Sequence, residues 1–594
     1  MSAQQSRRLF LQRALALSAS PWMIELAACA GDDDGTGDSP GTPDAGIGGD
    51  AGIGGDAGTG GPDTGGEDPA GACGRVPEDL DDADPGPDNL PQYEYDGPPG
   101  PETMFEHSVA SGDPMARAVI LWTRVSTGAE EPVDVWYEIA RDREFTRRLD
   151  AGFIRTDSTL DFTVKLDAEG LQPNRTYFYR FMCMGRTSPV GRTRTAPDLL
   201  VDRLRFGVCS CSSLGHGFFH AYRGMAERND LAAVIHLGDY IYEYATNAYG
   251  RIRPYEPSTA IVSLDDYRTR YRQYRRDQDL QAVHLQHPMI AVWDDHESAD
   301  NSWRDGANNH NPATEGPWEA RKQAAIQAYM EYMPIRESPE SGRIWRKFSY
   351  GPLLDILMLD TRLWGRDLEG NRGAIATFND PTRTLLGPDQ EAWLDEQLRT
   401  STARWKVIGQ QVMVGTLYLA PPLGEQPCCD TFNPDQWDGY TASRNKLFDS
   451  IRSTDPGSVV ILTGDFHSSW AWNIAPGIPS NPADYNPETG EGSIAVEFVT
   501  PAISSPGFPA IISEDFVANT QETNPTLQWG QLSNRGYMVL DVSCDQVRND
   551  WYHYEDIVDP DPAAFPEFWA ACWGTDWGTG RLRRFDTPTP DITE

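Results

Sequence analysis

Five apolar runs in this chain end on residues that can bind a metal or move a proton. "LRFGV" leads into Cys209, Ser210 and Cys211, and "LAAVIHL" into Gly238, Asp239 and Tyr242. "MIAVW" leads into Asp294, Asp295, His296 and Glu297, with Asp300 and Asn301 close behind. "LLDILML" is followed by Asp360 and Arg362, and "SVVILT" by Gly464, Asp465 and His467. In open α/β folds function collects just beyond the carboxyl ends of strands. Thiolate, phenolate, carboxylate and imidazole at that one place are the donors of a metal site. Each is ordinary alone: a strand-end Asp usually caps or turns the chain, and a buried Cys usually packs. "DDHE" could simply cap the start of a helix. Their recurrence on successive strand ends is what points to chemistry.

The spacing has physical content. Asp239 and Tyr242 are three apart, so one tight turn can aim both at one ion. Asp465 and His467 are two apart, and an extended segment would point both the same way. A carboxylate bridging two cations would hold them about 3.5–4 Å apart, the spacing used for in-line displacement at phosphorus.

The elements that must hold these residues alternate. "GFFHAYRGMAERND", "LDDYRTRYRQYRRDQDLQAVH", "EARKQAAIQAYMEYM", "DQEAWLDEQLRTS" and "ASRNKLFDSIRST" have helical periodicity and lie between apolar strand runs. That order predicts an α/β fold with a mainly parallel core. "SIAVEFVT" and "GYMVLDVS" add later strands with less helix between them, which points to a two-sheet sandwich. Upstream, "AVILWTRV", "VDVWYEIAR" and "LQPNRTYFYRF" are short β-branched and aromatic runs with turn signals between them. They predict a fibronectin type III-like β-sandwich over 104–197, with Tyr177 as its corner tyrosine.

The order of the motifs resembles the calcineurin-like metallophosphatases, whose pattern runs DxH, GDxx[DY], GNH[DE], GHxH. This sequence keeps "GDYIY" and has "CSC", "DDHE" and "GDFH" at the other three places. Those departures mark the alkaline phosphatase D family. "FEHSVASGDP", "WTRV", "LMLDTR", "DQWDGY", "LTGDFHSSW" and "NRGYMVLDV" also look like that family, so the resemblance runs from about residue 104 to 555. The VxxH motif of the wider superfamily has no counterpart. The resemblance implies a calcineurin-like metallophosphoesterase sandwich over 198–594, preceded by the all-β domain. It implies an alkaline phosphomonoesterase, often also a phosphodiesterase, that binds ferric iron (Fe3+) through a tyrosinate with calcium (Ca2+) as partner. Carried over by position, Cys211, Asp239, Tyr242 and His467 would hold the iron. Asp239 would bridge to calcium, with Asp465 and Asn301 on the calcium side and Asp295 among the metal ligands. His296 would stabilise charge or protonate the leaving group, or else only orient a carboxylate. Arg362 would clamp a phosphate oxygen or form a plain salt bridge. Tyr240 and Tyr244 read as packing. Two other functions fit the same residues: a phospholipase D-like diesterase, and a non-catalytic surface protein that has kept the site.

Composition sets the surroundings. The 594 residues carry 89 acidic and 50 basic side chains, a net charge of -39, which argues against phosphate-neutralising nucleic acid binding. No run of 18 apolar residues occurs, so no membrane span is expected. "SRRLFLQ" resembles a twin-arginine export signal, and "LAAC", ending at Cys29, a lipobox. Residues 1–29 thus read as a signal with a lipid anchor. Residues 30–103, Gly/Asp/Pro-rich with "AGIGGD" twice over 45–56, read as an acidic tether. An exported monomer of the cell envelope, acting on small phosphate esters, is expected. Of the nine cysteines, Cys73, Cys183, Cys544 and Cys572 are candidates for disulfides, and at least one of Cys428 and Cys429 must pair elsewhere or both stay reduced.

Overall fold

The computed structural model describes residues 86–592 except 88, 129, 200, 341, 371–376, 418–432, 477–483, 509–515, 519 and 522. The signal, the lipobox and the tether up to residue 85 lie outside the described residues.

Two large sheets carry the strand ends singled out above. In the first, of ten strands, Arg203–Cys209, Ala233–His236, Pro288–Ala291 and Val109–Gly112 run parallel side by side. Its flanks are antiparallel: Arg535–Ser543 pairs with Arg203–Cys209, and the Gln546–Tyr554 and Phe568–Asp576 strands follow. In the second, of seven strands, Leu354–Met358, Trp405–Gln410, Val459–Thr463 and Ala495–Val499 are parallel, again with antiparallel neighbours. The parallel core is therefore the centre of each sheet, and the flanks are mixed.

Period-2 alternation explains why both faces of the second sheet are apolar. Val407, Val460 and Leu462 point into the core shared with Phe206, Val208 and Val539 of the first sheet. Ile408, Val459 and Ile461 point the other way, onto Leu394 and Leu398 of helix Pro388–Thr400 and Leu447 and Ile451 of helix Thr441–Arg452. Each such side chain removed from water contributes about 1.5–3 kcal/mol, so the strands that carry the site are fixed from both sides.

Two expectations change. The periodic stretch 264–284 forms two helices, Leu264–Tyr274 and Gln278–Gln286, because the Asp277 carboxylate accepts from the Asp279 and Leu280 N–H groups and caps a new start. The N-terminal strands also do not stand apart. Val109–Gly112, Ala118–Arg124 and Thr163–Glu169 extend the ten-stranded sheet through Val109–Gly112, while Val133–Ala140 and Thr176–Cys183 belong to a separate five-stranded sheet. Val119, Leu121, Ile139, Tyr179 and Phe181 share the core between them. The Tyr177 hydroxyl bonds back to the backbone of Gln172, the geometry of a corner tyrosine. Cys183, Cys209, Cys211 and Cys572 are free and buried, so the disulfides considered for Cys183 and Cys572 are not formed, whereas Cys544 is disulfide-bonded. Among the described residues no helix is long and apolar enough to cross a membrane.

Candidate active site

The strand ends meet through unusual backbone. Cys211 (φ 65°), Asp239 (58°), Asn301 (46°), Asp465 (54°) and His467 (52°) all sit in the left-handed region. Such conformations cost about 1–3 kcal/mol each and persist only where the surroundings over-determine them. Here the turns brace one another. The Cys211 N–H donates to the Gly238 carbonyl at 3.1 Å and the Ser212 N–H to the Asp239 carbonyl at 2.8 Å, tying two adjacent strand ends. Glu297 accepts from the N–H groups of Asp239, Tyr240 and Asp294 at 3.0, 2.6 and 2.8 Å, adding a third. Gly238 has φ 109°, and a Cβ there would stand 2.4 Å from the Asp294 Cβ, so only glycine fits.

Cys211, Asp239 and His467 have donor atoms within 4.8 Å of one another. The Tyr242 hydroxyl lies 2.9 Å from Asp239 Oδ2 and 3.2 Å from His467 Nε2, and it accepts from Ser505 Oγ at 2.5 Å. The other His467 nitrogen, Nδ1, faces the Pro506 carbonyl at 3.2 Å, which makes Nδ1 the protonated one and leaves Nε2 as the donor atom. Cys209, two residues before Cys211, points instead into the apolar core. Asp465 and His467 do not form the extended pair expected from their spacing. With both in the left-handed region, Asp465 goes to Arg362 and Gln436 while His467 goes to Tyr242.

A second group joins Asp239, Asp295 and His296. His296 Nδ1 is 2.8 Å from Glu243 Oε2, and a carboxylate can only accept, so Nδ1 carries the proton and Nε2 is left for other work. Nε2 is 4.0 Å from Asp295 Oδ2. Glu243 is held in turn by the Asp300 N–H at 2.9 Å and by Asn309 Nδ2 at 2.5 Å. Asn301 approaches through its backbone, its N–H donating to Asp295 Oδ2 at 2.6 Å. Tyr240 packs, its hydroxyl on His284, but Tyr244 does more than pack: its hydroxyl donates to Asp300 Oδ1 at 3.0 Å.

Arg362 is not a phosphate clamp here. It is fully buried, and its Nε, Nη1 and Nη2 donate to Asp294, Asp435 and Asp465 at 2.5, 2.8 and 2.9 Å, with Asp295 at 3.5 Å. It is a strut that ties its own strand end to aspartates from two others and a loop. Asp435 and Gln436 of "DQWDGY" also belong to this network, a role that the motif does not reveal in the sequence. Gln436 Nε2 donates to Asp465 Oδ2 at 2.7 Å. Nothing in the sequence marks Ser505.

The site's carboxylates outnumber its positive charges, Arg362 and His296. Burial pushes Asp294 well above the carboxylate range, Asp465 and Asp300 up to about 7, and Glu297 up to about 8. Burial also resists ionisation of Asp295, but Arg362 and His296 outweigh it and hold this group at about 2. Burial, then the Asp239 charge, drive the Cys211 thiol and the Tyr242 phenol well above their ordinary values. Burial would depress His296, but Asp295, Glu243 and Asp239 together raise it well above an ordinary imidazole. Asp294 Oδ2 and Asp295 Oδ1 are buried without a hydrogen-bond partner. Orphaned carboxylate oxygens beside a thiol, a phenol and an imidazole fit a cation-binding site, because a bound cation reverses each of these penalties.

Residues 206–551 match the family model described as PhoD-like phosphatase, and residues 94–197 that of the PhoD-like phosphatase N-terminal domain. The chain is 35% identical over 483 residues to alkaline phosphatase D of Bacillus subtilis (strain 168), covering 77% of this chain and 79% of that protein. The solved structure titled "Structure of PhoD" superposes with a TM-score of 0.74 at 32% identity, covering 84% of this chain and 94% of the other.

Proposed function

Since the chain belongs to the PhoD-like phosphatase family and is by that membership a phosphoester hydrolase, we propose that it is an alkaline phosphomonoesterase with phosphodiesterase activity, using ferric iron and calcium at the cell envelope. The observation that carries this reading is the meeting of Cys211, Asp239, Tyr242 and His467. Thiolate, phenolate and imidazole suit a transition ion such as ferric iron, and the carboxylates of Asp295 and Asp465 suit a hard cation such as calcium. Asp239 has one oxygen toward Tyr242 and the other 3.3 Å from the His296 backbone N–H, so it faces both groups, which supports a bridging role for it. Bound cations would supply Lewis-acid charge for the phosphate oxygens and acidify water.

The chain's own residues do the rest. Glu243, anchored by Asn309 and the Asp300 N–H, fixes the tautomer of His296 and leaves Nε2 to hand a proton to the departing alkoxide. Arg362 keeps Asp294 and Asp465 in place. "SRRLFLQ" and "LAAC" support export and a lipid anchor, which would put the enzyme where extracellular phosphate esters are met. The test uses protein loaded with ferric iron and calcium, assayed with p-nitrophenyl phosphate and with bis(p-nitrophenyl) phosphate. Chelator-sensitive hydrolysis of both, rising toward alkaline pH, is expected. Hydrolysis of the bis-ester alone would make it a diesterase, and hydrolysis of neither would overturn the reading.

A further inference from the structure

Tyr249 lies against the donor groups on two sides. Its ring centroid is 5.5 Å from that of Tyr242 at 20° between planes, and 6.3 Å from that of His296 at 26°. His216 meets the same ring edge-on at 4.4 Å. Arg535 belongs to the same corner. It opens the strand Arg535–Ser543, and the N–H of its neighbour Gly536 donates to the Ala502 carbonyl at 2.9 Å. That places it beside the 502–506 loop, which gives Ser505 to Tyr242 and the Pro506 carbonyl to His467. His216, pushed down to about 4 by burial, is further opposed in its protonation by the His467 and Arg535 charges. Burial lowers Arg535, and the Tyr249 charge opposes that shift.

Arg535 is less fully engaged: the Asp556 and Tyr249 charges act on it, but no carboxylate pairs with it directly among the described residues. Arg362, the other guanidinium at the site, is neutralised by aspartates. Among the described residues Arg535 forms no ion pair. Its Nη1 donates to the Ser533 carbonyl, and its Nε is buried with no acceptor. A buried guanidinium donor without a partner is costly to maintain unless an acceptor visits it, and guanidinium matches phosphate oxygens in geometry as well as charge.

We propose that Arg535 is a substrate-binding residue whose guanidinium takes an anionic oxygen of the phosphoester, with Tyr249 and His216 as the wall beside it. This rests on the phosphoesterase reading above. It assigns Arg535 to uniform binding rather than to the chemical step, so its loss should appear in KM and not in kcat.

The test compares metal-loaded wild type, Arg535→Gln and Arg535→Lys. KM for p-nitrophenyl phosphate, the inhibition constant of inorganic phosphate, iron content and the visible spectrum are measured for each. For Arg535→Gln, KM and the inhibition constant are expected to rise about 10- to 100-fold. Its kcat should fall less than about threefold, the range of a group that contributes mainly binding, with iron content and spectrum unchanged. Arg535→Lys should recover part of the loss, and millimolar guanidinium ion should restore binding to the Gln variant. Constants within about twofold of wild type would overturn the proposal, being less than one charged hydrogen bond is worth. So would parallel loss of iron and activity in both variants, which would make Arg535 a support of the metal site. If the wild type hydrolyses nothing, the phosphoesterase reading fails by itself. Calorimetric titration with inorganic phosphate still decides Arg535: binding weakened in the Gln variant upholds it, and equal binding overturns it.

Discussion

His296 works only as well as Glu243 positions it. The carboxylate accepts from Nδ1 at 2.8 Å and so fixes which nitrogen meets the substrate. If Nε2 protonates the leaving group, its value depends on how badly that group needs a proton. His296→Asn should therefore lower kcat for phenyl phosphate, a poor leaving group, by about 10²–10⁴-fold, and far less for p-nitrophenyl phosphate. Equal losses on the two substrates would reduce His296 to orienting a carboxylate. Most of these residues were legible in the sequence because donor types that rarely coincide ended successive apolar runs. What Arg362 does was not legible. Spacing shows an arginine near a strand end, but only the fold brings Asp435 from a distant loop to occupy it.

The strand-end turn is the element on which the site depends. Five of the nine candidate residues hold left-handed backbone, which an α/β alternation does not reveal, and that is why the extended geometry expected for Asp465 and His467 failed. Gly238 shows the constraint most directly. In Gly238→Ala the new Cβ would meet the Asp294 Cβ at 2.4 Å and the Asp294 backbone nitrogen at 2.6 Å, at a φ of 109°. The variant should lose about 2–4 kcal/mol of stability from strain and overpacking, and its metal content should fall with it. Denaturant unfolding with parallel metal analysis checks this, and a variant with wild-type stability would show that the turn can relax. The break between helices Leu264–Tyr274 and Gln278–Gln286 was likewise hidden, because apolar periodicity continues across it and only the Asp277 cap interrupts it.

At the scale of the whole molecule, charge and burial set the limits of stability. Burial holds His287 and His553 neutral, at about 3, and burial with Arg124 holds His107 at about 2. Their folded values lie below the unfolded value of about 6.5, so the stability they contribute is complete above that pH. It is lost as pH falls, because the unfolded chain takes up protons that the folded chain refuses. Each costs about 1.4 kcal/mol by pH 5.5, about 4 kcal/mol for the three. In metal-loaded protein, where bound cations would keep the site carboxylates ionised and so remove their opposing contribution, the melting temperature should therefore drop between pH 7 and 5.5, and a flat profile would contradict the buried neutral state. Chelation should lower it as well at pH 7, since a cation bound only to the folded chain stabilises it by mass action. The two-sheet core was legible from alternating strands and helices. The fusion of the N-terminal strands to the ten-stranded sheet was not, because the Ser111–Pro288 pairing joins segments far apart in sequence.

In the proposed function Tyr242, with Cys211, Asp239 and His467, holds a ferric ion. The most direct measurement is the visible absorption spectrum, with iron analysis, of purified wild-type protein and Tyr242→Phe. A tyrosinate-to-iron charge-transfer band is expected in the wild type and is lost in the variant. An iron-loaded variant with an unchanged band would contradict it.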